Sequence, residues 1–153
     1  MPRFIFRLAP VLRQRERIEE EKKMLLAEEQ RRLAEAEAAR QRLRDRRETL
    51  ARELVAEHRK LDVETLRLTY AHLDFLAREI NTADWNVAKA TGAVDAAREV
   101  LVRASKDRKI LDRLRERAQA NFDREVARAE HRELDDANAR RYARTQLHQG
   151  VIG

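Results

Sequence analysis

Cysteine is absent from the 153 residues, so neither a disulfide framework nor a thiolate metal site is available. Three glycines and two prolines are too few turn residues for a many-stranded fold. Aromatic residues, at 5%, are too sparse to fill a compact globular core. The glycines stand at positions 92, 150 and 153, which excludes a glycine loop cradling a phosphate. Met1-Pro2-Arg3-Phe4-Ile5-Phe6-Arg7 contains no apolar stretch of signal-peptide length, and no later run approaches a membrane span. The expectation is a cytoplasmic protein with no direct membrane insertion.

What remains is charge and alanine. Charged residues make up 41% of the chain and apolar residues 42%, much of the latter Ala, so helix is nearly the only secondary structure on offer. Such helices form thin layers with little interior, and a pocket that excludes water from a reaction is not expected. The net charge is +6 and the pI about 10.1. Charges of both signs alternate, as in Arg13-Gln14-Arg15-Glu16-Arg17-Ile18-Glu19-Glu20-Glu21-Lys22-Lys23, the pattern of a solvated helix face with i,i+4 pairs. Nucleic-acid binding would want a stripe of one sign with aromatics among it, and no nucleic-acid partner is expected. His58, His72, His131 and His148 are scattered without metal-ligand spacing, and Ser105 is the only serine. The reading is therefore a non-enzyme with no catalytic, cofactor or metal residues.

The stretch from Ile80 to Ala104 organises the rest. Ile80, Ala83, Val87, Ala90, Val94, Ala97, Leu101 and Ala104 alternate three and four apart, the two-in-seven pattern of a coiled-coil seam. Trp85 and Gly92 fall on the outer face in the same register. Beyond Ala104 an unchanged register places Arg108 and Arg115 inward, so the seam is expected to shift to Ile110, Leu111 and Leu114 before returning at Ala118, Phe122 and Val126. Upstream, Val11, Ile18 and Leu25 recur every seven residues. Leu8, Ala36, Leu43 and Leu50 hold a second register with Leu33 and Leu54 beside it, diluted by Arg15, Lys22, Glu29 and Arg47.

Two such stripes predict an all-α fold, a long antiparallel two-helix coiled-coil hairpin in one domain spanning residues 1–153. The alternative is a generic parallel coiled-coil dimer whose Arg excess binds nucleic acid. Turn chemistry occurs at Lys60-Leu61-Asp62-Val63-Glu64, where Asp62 can cap a helix, and at Asn81-Thr82-Ala83-Asp84. The second would break the seam at its start, so the first is favoured. Helix 1 is then expected over about residues 10–59, with Pro10 in its first turn, the reversal at about 60–64, and helix 2 over about 63–146. Residues 148–153 follow Gln149-Gly150 and are expected to be a disordered tail.

Three stretches resemble the FliJ family of the bacterial flagellar type III export apparatus. They are Phe4-Ile5-Phe6-Arg7-Leu8-Ala9-Pro10-Val11-Leu12-Arg13-Gln14-Arg15; Leu68-Thr69-Tyr70-Ala71-His72-Leu73-Asp74-Phe75-Leu76-Ala77-Arg78-Glu79-Ile80; and Glu130-His131-Arg132-Glu133-Leu134-Asp135-Asp136 with Arg140-Arg141-Tyr142. The resemblance implies a stalk like that of rotary ATPases, peripheral to the inner membrane. Its implied partners are the hexameric flagellar export ATPase, export chaperones and a membrane export-gate protein. The equivalent stalk of a virulence type III secretion system is the alternative. Many family members carry Gly or Ser at the reversal, where this chain has Lys60-Leu61-Asp62.

Two partner surfaces follow as expectations. Tyr70, Leu73, Leu76 and Ile80, extended by Trp85, put apolar residues on more faces than one seam needs. Near the other end Leu134, Asp135, Arg140, Arg141 and Arg144 lie on a helix from Phe122 to Leu147 with little to bury, whose basic tip suits acidic side chains lining a ring.

Overall fold

A computed structural model describes residues 2–152, and nearly all of them lie in two helices: α1, Ala9–Glu57, and α2, Val63–Ile152. No strand occurs among the described residues. α1 starts where Pro10 permits it. Proline lacks only an N–H that the first turn leaves unused, and the Leu12 N–H donates to the Leu8 carbonyl at 2.9 Å.

Residues 58–62 reverse the chain. The Lys60 N–H donates to the Glu57 carbonyl at 2.8 Å, closing the end of α1. Asp62 then opens α2: its Oδ1 accepts the Thr65 N–H at 2.9 Å, and its carbonyl accepts the Leu66 N–H at 3.0 Å. Hydrogen bonds from the Thr65 side chain and backbone hold the Asp62 carboxyl below its ordinary pKa of 3.8. Residues 81–84 continue α2 unbroken. There the Thr82 hydroxyl donates back to the Arg78 carbonyl at 3.3 Å, a bond available inside a helix, and caps nothing.

The sequence pattern reads as one domain; the contacts fall into two compact units, Arg17–Ser105 and Met1–Glu16 with Lys106–Gly153. In the unit Arg17–Ser105, the α2 side of the core is the alternating seam. Ala83, Val87, Val94, Ala97 and Ala104 are buried, and Ile80, Ala90 and Leu101 are half-buried. Toward the turn, Leu76 and, from α1, Leu54 close the core. Arg40 and Arg44 of α1 reach Asp84 of α2 at 3.5 and 3.2 Å, which with the turn at 58–62 sets the two helices antiparallel.

On the α1 side of this core the expected register of Ala36, Leu43 and Leu50 holds, with Lys22 and Glu29 in it, and only the register of Val11, Ile18 and Leu25 differs in phase. Leu25 is 43% exposed, whereas Glu19 is 6% exposed and Leu26 half-buried, so the seam runs one residue later. The heptad positions are 19, 26, 33, 40 and 54 with 22, 29, 36, 43 and 50, each buried or half-buried. A carboxylate in a seam has to be paired, and Lys23 Nζ lies 3.3 Å from Glu19. On the outer face Arg31 donates to Glu28 at 2.6 and 3.2 Å, and that bond holds Glu28 below the ordinary carboxylate pKa.

In the unit of the two ends, the Phe4 ring meets Phe122 with centroids 5.6 Å apart and planes tilted by 55°. Arg15 lies 3.6 Å from Asp107. Moving up α1 thus means moving down α2, the same antiparallel sense. These pairings run between α1 and α2 of one chain, in place of the parallel dimer held as the alternative. Leu12 is buried, and the lead-in packs through Phe4 and Phe6. The expected shift of the α2 seam fails at Ile110 and Leu114 and holds at Leu111, Ala118, Phe122 and Val126, with Arg115 outward. Ile110 and Leu114 are exposed, while Arg108, Leu111, Ala118, Phe122 and Val126 are half-buried. Arg108 is tolerated inward because Asp112, one turn on, neutralises it.

α2 extends six residues past its expected end. His148, Gln149, Gly150 and Val151 are helical, a correction to the expected disordered tail, of which residue 153 lies outside the described residues. Gly150 terminates a helix only if it takes a positive φ, and no described glycine does.

Candidate functional site

Among the described residues no group of three or more His, Cys, Asp and Glu is placed to hold a metal ion, and no buried side-chain polar atom lacks a partner. No helix is long and apolar enough to cross a membrane. The candidates are surfaces.

Near the turn, the heptad phase of α2 sorts the expected residues. Leu73 and Ile80 lie on the seam and are half-buried, and Leu76 between them is 1% exposed. Leu76 is therefore core, and its place in a contact surface is corrected to a support beneath it. Tyr70 is exposed, next to the seam. Trp85, 72% exposed, lies on the outermost position, fifteen residues and four turns from Tyr70. Tyr70 and Trp85 thus stand apart along the helix.

Two residues outside the expected set form a separate exposed stripe, on the far side of the helix from Tyr70. Leu68 and Phe75 are exposed and seven residues apart on one stripe. His72 lies between them and stacks on Phe75, ring centroids 6.2 Å apart with planes within 16° of parallel. The signal was visible in the sequence as two large apolar residues seven apart on a non-seam phase. Apolar residues near a turn read equally well as its closure, so that signal alone does not mark a contact surface.

The second surface is the end of α2. From Ala127 to Val151 every residue is exposed, including Leu134, Asp135, Arg140, Arg141 and Arg144. Among the described residues no ion pair involves this segment. Its side-chain bonds are local: the Thr145 hydroxyl to the Arg141 carbonyl at 2.9 Å, and Gln146 to the Tyr142 hydroxyl at 3.0 Å. Leu134 and Arg141 share one longitudinal stripe, and Arg140 and Arg144, four residues apart, share the neighbouring one; Asp135 lies on another face. The segment is thus a bare helical rod whose charges are unspent within the chain.

No curated protein matches the sequence. A solved structure from Chlamydia trachomatis, described as a YscO homolog, is 23% identical to this chain, covering 96% of it and 98% of the other at a TM-score of 0.43. A profile of the family described as Flagellar FliJ protein matches residues 4–147, taking in both surfaces, the turn and the lead-in. With nearly its whole length inside that match, the chain belongs to the flagellar FliJ protein family.

Proposed function

We propose that this protein is a non-enzymatic stalk of the bacterial flagellar type III export apparatus. It stands in the ring of the hexameric export ATPase and links that ring to export chaperones and the membrane export-gate protein. It works in the cytoplasm, peripheral to the inner membrane, without cofactor or nucleic acid. Family membership supports the apparatus. The observation that carries the role is the rod of residues 127–151. It continues α2 with neither burial nor, among the described residues, ion pairs, and a helix that is polar all round has no tertiary packing of its own to hold it. Its order is best accounted for by a partner that surrounds it, and a ring lined with acidic side chains suits Arg140, Arg141 and Arg144.

The surface near the turn then faces the export gate through Tyr70 and Trp85, with Leu73 and Ile80 partly available and Leu76 holding the backbone in place. A virulence secretion stalk would present the same chemistry, and the ATPase it binds distinguishes the two. The test is co-elution of the full chain with the flagellar export ATPase of the same organism and, separately, with a virulence-system ATPase. A stable complex with the flagellar ATPase alone supports the proposal. Binding to neither, or only to the virulence ATPase, overturns it.

A further inference from the structure

The net charge is not spread along the chain. Residues 17–105 contain eighteen Lys and Arg and eighteen Asp and Glu, and residues 118–153 contain six of each. The whole excess of +6 therefore comes from two short stretches. Residues 1–16 hold four Arg and one Glu, and residues 106–117 hold six basic and three acidic residues. Both belong to the same compact unit.

That unit also leaves large apolar side chains in water. Ile5 is 77% exposed, and Leu8, Val11, Ile110 and Leu114 are exposed as well. Ile5, Phe6, Leu8, Leu114 and Ala118 line one groove of about 640 Å³, with Arg7 in its wall. Val11 follows Leu8 by three residues and Ile110 precedes Leu114 by four, so each extends the apolar lining along its own helix. Arg113 and Arg117 stand three residues beyond Ile110 and Leu114, on the rim. Evenly scattered exposed apolar residues need no explanation, but three lining one groove, with Val11 and Ile110 a turn away, inside the only net-charged part of the chain do.

We infer that this groove is a docking site for an acidic amphipathic helix of a partner protein, its apolar residues seated between Ile5, Leu8 and Leu114 and its carboxylates meeting Arg7, Arg113 and Arg117. Charge complementarity selects the occupant. A net +6 confined to the groove's surroundings repels basic helices, gives neutral ones no electrostatic attraction, and attracts one whose rim residues are Asp and Glu. Shape separates it from an anionic membrane. A bilayer takes a convex apolar ridge, whereas this lining is a recess of about 640 Å³, the concave form used in helix-in-groove recognition. The inference is independent of the ring contact made by residues 127–151 and uses none of its residues.

The test uses the full chain and three probes: a three-heptad synthetic helix with Leu at the seam positions and Glu and Ala elsewhere, the same helix with Lys for Glu, and vesicles of phosphatidylcholine with phosphatidylserine. Fluorescence anisotropy should show the Glu helix bound and the Lys helix not. The double substitution Ile110→Ser and Leu114→Ser, which leaves charge unchanged, should weaken binding at least about tenfold. Ile5→Ser, at a site outside both helices, should weaken it in the same direction with no change in the melting curve. Arg7→Gln should weaken it severalfold and flatten its salt dependence. Equal binding of both helices, affinity untouched by the serine variants, or binding to vesicles alone would overturn the inference. So would a concentration-dependent dimer abolished by Ile110→Ser and Leu114→Ser, because a second copy would then own the groove.

Discussion

Leu76 offers the sharpest test of the core, because a leucine of opposite fate lies eight residues away on the same helix. At 1% exposed, Leu76 is the most deeply buried large side chain among the described residues; Leu68 is 59% exposed. Replacing Leu76 by Ala removes three carbons from an apolar setting, a transfer loss of about 2.4 kcal/mol at roughly 0.8 kcal/mol per methylene. The cavity left behind raises such costs to about 5 kcal/mol in rigid cores. A seam between two helices is only one side chain deep, so Leu73 and Ile80 can settle into the space, and we expect about 2–3 kcal/mol. Urea unfolding followed by circular dichroism at 222 nm should show a lower midpoint with an unchanged slope. Thermal melts should fall by roughly 5–10 °C for a chain of this length. Leu68→Ala should stay within about 0.5 kcal/mol of the parent. Equal losses for the two variants would mean that the heptad phase of α2 near the turn is wrong.

Val94, 3% exposed in the middle of the seam, should tolerate aspartate even less. Val94→Asp buries a carboxylate without a partner and should cost several kcal/mol, so an unchanged melting temperature would contradict the register of Ile80 to Ala104. Asp62 has a folded-state pKa below 3.8, so it stabilises above that value and loses its contribution as pH falls through the lowered pKa. The stability gap between the parent and Asp62→Ala should therefore be constant near neutrality and close below about pH 4 in melts run across pH. Asp84→Asn removes the bridges to Arg40 and Arg44; all three side chains are partly in water, so the loss should be about 0–1 kcal/mol at low salt and should vanish as salt is raised in the same urea assay.

The places where the sequence was easily read and where it misled have a common cause. Val and Ala at Ile80 to Ala104 repeat without interruption, and a continuous apolar pattern has one phase. Asp62 and Asn81-Thr82-Ala83-Asp84 carry the same capping chemistry, and only the second lies inside that pattern, where eight seam residues outweigh a cap. In α1 the cleaner repeat, Val11, Ile18 and Leu25, is not the seam. The seam passes through Glu19, and a buried, Lys-paired carboxylate is invisible to a reading that counts apolar residues. Arg108 misled in the same way, since its pairing with Asp112 kept the register where apolar counting moved it to Ile110 and Leu114. Of those two apolar residues left outside the core, Leu114 lines the groove and Ile110 lies one turn before it. Tyr70 and Trp85 could be placed on outer faces from the heptad alone. The same heptad carried back from Ile80 puts Leu76 and Leu73 on the seam and Phe75 off it, which is where the structure has them.

The proposed stalk role stands or falls on the rod of residues 127–151. The most direct measurement is the ATPase rate of the purified flagellar export ATPase with the full chain and with a chain ending at Ala127. Because the removed residues are exposed throughout, the truncated chain should keep its melting transition. The account predicts that the full chain stimulates the ATPase or its assembly into a ring and that the truncated chain, equally folded, does neither. Stimulation by the truncated chain as strong as that by the full chain would contradict it and place the ring contact elsewhere on the molecule.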